Sequence, residues 1–274
     1  MPRLNDLMID DLLNFCKSNN IRAIIPTRDG ELIFFSKYKE LLQKNNIYPM
    51  VSNEKAIQVC FNKLVFFSEA IRMGFPIINT TNKIEKLTCE SFVVKEQFGA
   101  GSKEIGIDLS KKEAMAHAKK LDNPIFQPFV KGDEYSIDVF IDRMGKVRGS
   151  VARKRDLVIQ GESQITTTVS FPQLEALSKQ FVSALMLYGH IVLQAIVDKE
   201  GKIHIIECNP RFGGASTLSI GVGLDSFFWF LLEANGKKLD NILFQRSKNE
   251  KRLIRYPKDW IIDYDEKNSD YFNM

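Results

Sequence analysis

The sequence predicts an α/β chain whose later part turns to α+β. Two patterns predict this class. Near the N-terminus helix and strand signals alternate, as they do when helices cross over a parallel sheet. Further on, short apolar runs are joined by turn residues and read as antiparallel hairpins. The 274 residues are enough for one or two domains.

The elements follow in order. Residues 9–18 read as a helix and 21–25 as a buried strand. The segment PTRDGELIFFSKYKELLQKNN opens a helix near Glu31 and closes it at Asn45-Asn46. A short strand, Tyr48 to Val51, and a helix, Glu54 to Met73, come next. Residues 92–107 read FVVKEQFGAGSKEIGI. An apolar strand there delivers Lys95, a loop with Gly99, Gly101 and Ser102 follows, and Glu104 to Ile107 resumes strand character. The GxxxxGK[ST] order is absent and no helix signal follows the loop, so this is not a Walker loop, nor is it a dinucleotide fingerprint. A glycine flap of this kind can cover a triphosphate with its backbone N–H groups, with Lys95 as a point charge. An ordinary Gly-rich hairpin with a solvated Lys fits the same residues.

Residues 125–141, IFQPFVKGDEYSIDVFI, begin with an apolar run that contains Pro128. A Pro marks an edge or a linker crossing, because it removes a ladder donor. Such a linker offers an adenine ring an apolar slot with backbone donors and acceptors, through Gln127, Phe129 and Val130. After the Lys131-Gly132 turn, Glu134 sits where it can accept a ribose hydroxyl pair. The strand from Tyr135 to Ile141 alternates, and Asp138 within it reads as a structural hydrogen-bonding residue.

Two strands close the pattern. Residues 190–197, HIVLQAIV, lead through the turn DKEG into 202–214, KIHIIECNPRFGG. Ile203, Ile205 and Cys208 are apolar, and Glu207 and Asn209 alternate with them. Residues i and i+2 of a strand share a face, about 7 Å apart, so a carboxylate and an amide oxygen can converge on one magnesium ion. Pairing around the turn puts Gln194, the one amide of its strand, roughly opposite Glu207, and a buried Gln needs partners. Arg211 continues the alternation and adds a fork for a phosphate or carboxylate. A hairpin with a merely wet polar face accounts for the same alternation.

Composition excludes several classes. Hydrophobic residues make up 44% and charged residues 26%, as in ordinary globular chains. The net charge of +4 is mild and its basic residues are dispersed, so nucleic acid is not indicated. Four cysteines without paired spacing point to reduced thiols in the cytoplasm and not to zinc. No signal peptide and no membrane-length apolar run stand out. The run FFWFLL (227–232) reads as core in a helix starting near Leu224.

Lys95 with its glycine flap, then QPFVKGDEYSID, then VLQAIV, then IIECNPRFGG: in this order the chain resembles the ATP-grasp superfamily. It is most similar to a single unit of the carbamoyl-phosphate synthase large subunit, a carboxylate–amine ligase type. The likeness spans roughly residues 55–260. It implies an ATP-grasp fold over 61–274, with a flap-bearing part (61–128) and a metal-bearing part (129–274). It also implies a truncated N-terminal parallel α/β (pre-ATP-grasp) domain over 1–60. A sheet lacking its first strands exposes an edge, which fits a truncated chain, an internal start or a homodimer that covers it.

The resemblance further implies roles. Lys95 contacts the ATP phosphates, and Lys63 in CFNK matches the earlier basic residue, although a surface helix Lys fits equally. Gln127 to Val130 hold adenine and Glu134 the ribose. Gln194, Glu207 and Asn209 hold two magnesium ions, with manganese an alternative. In VARKRDLVIQGES, Arg153 and Arg155 take the place of basic residues facing an acyl phosphate, and two guanidiniums so spaced can grip a carboxylate; a solvated charge cluster is the other reading. The chain departs from the pattern at two places. Ile159 and Gln160 stand where the synthase has His, and Glu96 stands where many relatives have Pro.

The implied chemistry is ATP-dependent activation of a carboxylate as an acyl phosphate, then attack by an amine or ammonia. Arg153, Arg155 and Arg211 would handle the acid, and Gly213, Gly214 and Ser216 the acceptor end. His117, His190 and His204 read as structural. Alternatives are a synthase-like enzyme phosphorylating bicarbonate or carbamate, a non-catalytic ATP-binding protein, and, more weakly, a membrane-associated module using Phe227 to Leu232.

Overall fold

The computed structural model describes residues 8–99 and 104–257. The N-terminal part runs α1 (Ile9–Ser18), β1 (Ala23–Ile24), α2 (Asp29–Lys37), α3 (Lys39–Lys44), β2 (Tyr48–Pro49), α4 (Glu54–Phe61) and α5 (Lys63–Arg72). β1 and β2 pair in parallel. Both are shorter than the sequence suggests, since Pro49 has no ladder donor and the Val51 N–H folds back to the Pro49 carbonyl.

Two expected helices are each split in two. The first breaks at Tyr38, after which Lys39 donates to the Val51 carbonyl at 2.7 Å. The second breaks at Asn62, whose side chain accepts from Leu64 N and Val65 N and so starts α5. The Gln97 side-chain amide donates to that same Asn62 oxygen, and the Lys63 N–H donates to the Gln97 carbonyl. The break is therefore moored to the flap hairpin.

That hairpin belongs to a three-stranded antiparallel sheet, β4 (Gly106–Leu109), β3 (Phe92–Glu96) and β5 (Pro124–Pro128), in that order. Phe92, Val94 and Phe126 pack on α6 (Lys111–Ala118). Ser110 and Glu113 close the start of α6 as a capping box. Val94 points inward, so its neighbour Lys95 points to the other face.

A six-stranded antiparallel sheet carries the rest. Its strands are β6 (Gly132–Ile141), β7 (Val147–Ile159), β8 (Glu162–Val169), β9 (Gly189–Asp198), β10 (Ile203–Asn209) and β11 (Arg252–Ile254). They lie in the order β10-β9-β6-β7-β8-β11. The β9–β10 turn forms as the sequence suggests: Asp198 accepts from Glu200 N and Lys202 N, and Gly201 supplies φ +79°.

The two faces of this sheet differ. Ile137, Val139, Ile141, Ala152, Leu193 and Ala195 form a core with Phe66 and Ala70 of α5 and with Phe181 and Val182 of α7 (Pro172–Ala184). Each Val, Leu, Ile or Phe side chain among them contributes about 1.5–3 kcal/mol by leaving water. The opposite face is apolar at one end only, where Phe140 and Val151 meet Val222, Leu224, Trp229 and Phe230. These come from the segment carrying α8 (Ser216–Ile220) and α9 (Ser226–Ala234). The aromatic run is thus half core: Trp229 and Phe230 are buried, while Phe227 and Phe228 are about half exposed. Among the described residues no helix is long and apolar enough to cross a membrane.

Candidate functional site

The uncovered end of that second face is polar by register. Thr168, Arg153, Ser136, Gln194 and Glu207 lie opposite one another across five strands. Asp138, Val192 and Asn209 form the next row. Gln194 pairs with Glu207 through a bulge, one residue beyond where a regular hairpin would pair it. Ile205 pairs with Ala195 and Glu207 with Gln194, which leaves Ile206 extra. Strict alternation would put Ile205 and Glu207 on one face; the bulge sends Ile205 to the core and Glu207 and Asn209 to the cleft.

There the Asn209 amide donates to Glu207 Oε1 at 2.9 Å, and Gln194 Oε1 accepts from Arg155 Nη1 at 3.0 Å. Burial pushes the Glu207 carboxyl up, but Lys95, the Asn209 hydrogen bond, Lys63 and Arg155 outweigh it and hold the group ionised. The three residues supply one carboxylate and two amide oxygens, hard donors that suit magnesium. Among the described residues no group of three or more His, Cys, Asp or Glu could hold a metal.

Lys95 reaches this cluster from the three-stranded sheet. Burial, helped by nearby Lys63, lowers its pKa to about 8 against the opposing pull of Glu207 and Glu134. Burial also lowers the pKa of Lys63, against the pull of Glu207, Asp29 and Glu96, and its Nζ donates to the Gly99 carbonyl at 2.8 Å. Lys63 is therefore no free surface lysine. Gly101 and Ser102 lie outside the described residues. Gln127 is buried, and its amide donates to Thr80 Oγ1 at 2.7 Å. Phe129 and Val130 are half-buried in the link between the two sheets, and the Phe129 N–H is taken by the Ser91 carbonyl.

The arginines separate. Arg155 borders the cleft, holding Glu134 Oε1, Gln194 Oε1, Ser163 Oγ and the Gly161 carbonyl. Arg153 does not join it in one open grip. It is 2% exposed and turned onto Asp138, and its Nη1 has no partner among the described residues. Asp138 also accepts from Ser216 and Ser219 and bonds His190 Nε2. Ser216, expected at the acceptor end, is instead buried within this network and accepts from Gly213 N. Arg211 forks onto Asp29 at 2.8 and 2.6 Å, a partner with no signal in the sequence. Asp29, Lys63, Gly99, Glu207 and Asn209 line one small cavity of about 20 Å³.

Comparison with known proteins gives the frame for this geometry. The family described as ATP-grasp in the biosynthetic pathway with Ter operon matches residues 120–253, just under half of the chain. The biotin carboxylase domain of Hydrogenobacter thermophilus 2-oxoglutarate carboxylase, solved as a dimer with MgADP, ADP and bicarbonate, superposes with a TM-score of 0.75 at 16% identity. The superposition covers 89% of this chain and 60% of that one.

The chain carries the ATP-grasp fold.

Two further solved structures place the ATP-grasp chain among the same folds. Campylobacter jejuni biotin carboxylase, in complex with β,γ-ATP, matches at 17% identity and TM-score 0.75, over 90% of this chain and 61% of that one. Rhizobium etli pyruvate carboxylase matches at 19% identity and TM-score 0.65, over 79% and 21%. The ATP-grasp chain thus spans about 60% of the length of the first two. No curated protein matches its sequence.

Proposed function

We propose that the ATP-grasp chain is an ATP- and magnesium-dependent ligase that activates a carboxylate as an acyl phosphate for attack by an amine or ammonia. One observation carries this reading. Lys95 and Lys63 converge on Glu207, Gln194 and Asn209 across a single cleft, so cationic groups for phosphates meet oxygen donors for a metal.

In this reading Lys95 and Lys63 bind the phosphates, Gln127 to Val130 with Glu134 hold the nucleoside, and Gln194, Glu207 and Asn209 hold magnesium. When bound, magnesium neutralises phosphate charge. Arg155 and Arg211 orient the acid, with the buried Arg153 behind them. A carboxylate oxygen attacks the γ-phosphorus and ADP leaves; the amine then attacks the acyl carbon and phosphate leaves. The chain's contribution is position and charge, which phosphoryl transfer chiefly needs. A cytoplasmic setting fits four free cysteines. The Hydrogenobacter domain was solved as a dimer, and a homodimer is part of the proposal. That domain also holds bicarbonate beside MgADP, which favours phosphorylation of bicarbonate or carbamate as the second reading.

The site's own charge makes a specific demand. Lys63, Lys95 and Arg155 crowd Glu207, so a bare cation is repelled and magnesium should enter only with a polyphosphate. Calorimetric titration with a non-hydrolysable ATP analogue, with and without magnesium, tests this. Micromolar binding that requires both together is expected. Absence of nucleotide binding by folded chain would sink the reading, and binding without ADP release across carboxylate and amine pairs would leave a non-catalytic nucleotide binder.

A further inference from the structure

Asp29 opens α2, yet its helix does not use it as a cap: Glu31 accepts from Thr27 N and Arg28 N. Its carboxylate instead spans 182 residues of sequence to hold Arg211 through Nε and Nη2, while Arg211 Nη1 donates to the Phe212 carbonyl. A guanidinium has five N–H groups. Three are engaged, which leaves one on each Nη nitrogen. Arg211 also lies in the field of Glu207 and Glu162, the other acids that face it. Without Asp29, nothing would stop its fork from turning onto Glu207 and cancelling the charge of a metal ligand.

We propose that Asp29 is a positioning residue that holds Arg211 off Glu207 and leaves its remaining N–H pair for an oxyanion in the cleft. The proposal rests on the reading of this cleft as an ATP-grasp site. It deepens that reading by making the N-terminal part a contributor to the acid-binding end. A second carboxylate on the Arg211 fork has a simple consequence for ligands. An incoming carboxylate, phosphate or bicarbonate must take the two N–H groups that Asp29 leaves.

The test is calorimetric titration of the full chain with inorganic phosphate, alone and saturated with MgADP. Asp29→Ala and Arg211→Ala should each weaken phosphate binding on the order of tenfold or more, as loss of charge-assisted hydrogen bonds does. The double variant should be no worse than either single one, because both remove the same fork. Asp29→Asn, which keeps one acceptor oxygen and the side-chain volume, should fall between; it decides the matter if Asp29→Ala does not fold. Adenosine affinity of the Asp29 variants should stay within about threefold of the parent, a distance a collapsed cleft would exceed. Phosphate affinity unchanged in Asp29→Asn and Asp29→Ala overturns the proposal. So does additive loss in the double variant, or tighter binding, which would make Asp29 a plug in the anion's seat. A parent chain that takes MgADP but not phosphate refutes this proposal alone. A parent chain that takes phosphate but not MgADP refutes the nucleotide reading alone.

Discussion

Two polar clusters share one face of the six-stranded sheet, and they differ in what they leave unsatisfied. At one end Asp138, His190 and Arg153 form a dry knot with Ser216, Ser219 and Ser226. Its three charged or titratable members are at most 2% exposed, and the His190 ring stacks on Phe212 at 4.1 Å. Nearly every donor and acceptor there is consumed internally. At the other end Lys95, Lys63, Arg155, Glu134 and Glu207 balance each other only in part, and Lys63 and Glu207 line a cavity. Burial alone therefore does not mark function. Asp138 is the more deeply buried acid and the more strongly acidified, yet it ties three strands and two helices together. Residual charge facing open space is what separates the cleft from the knot.

The largest effect that would break this comparison concerns the knot. Asp138→Ala strips Arg153 and His190 of their shared partner and should cost about 3–5 kcal/mol of stability, read by chemical denaturation. Stability within about 1 kcal/mol of the parent would show the knot to be dispensable. Glu207→Ala should do the reverse. Magnesium-dependent ADP release should fall on the order of 100-fold while the melting temperature holds, because the acid sits among cations eager for another partner. Unchanged turnover would remove Glu207 from the metal site.

Smaller effects sharpen the contrast. Lys95→Ala should weaken ATP binding on the order of tenfold and leave adenosine affinity unchanged, since the lost contact is to phosphate. Equal loss for both ligands would point to a damaged cleft. Lys95 also sets a pH dependence. Its pKa, lowered to about 8 in the free chain, means the cation is present below that pH and lost above it. Nucleotide affinity should be flat up to about pH 8 and then fall, levelling off about tenfold lower, a decline absent in Lys95→Ala.

Much of the cleft was legible because its signals are local. An apolar strand ending in Lys95, a turn at Asp198 to Gly201 and a lone amide in an aliphatic strand are all read from spacing and chemistry. What escaped depends on contacts far apart in sequence. Asp29 and Arg211 meet only when the N-terminal part docks on the end of β10. Asn62 looks like any polar residue inside a helix until Gln97 reaches it from the flap hairpin. Arg153 and Arg155 are equivalent by alternation, and only their neighbours, Asp138 for one and Glu134 with Gln194 for the other, tell them apart. Ser216 follows a Gly-rich turn suited to a ligand, but Asp138 draws it inward.

The bulge at Ile206 has a consequence for recognising related chains. It joins two stretches of opposite parity: Ile203 and Ile205 count with the core, Glu207 and Asn209 with the cleft. Counting outward from the β9–β10 turn as if the ladder were regular lands Gln194 on Ile206, one residue short of its real partner. Removing that residue would make the ladder regular and still leave Glu207 opposite Gln194. The number of residues between the turn and the carboxylate is therefore free to vary by one without moving the chemistry. A search that fixes that count would discard relatives whose sites are intact, whereas one anchored on Glu207 and Asn209 would keep them.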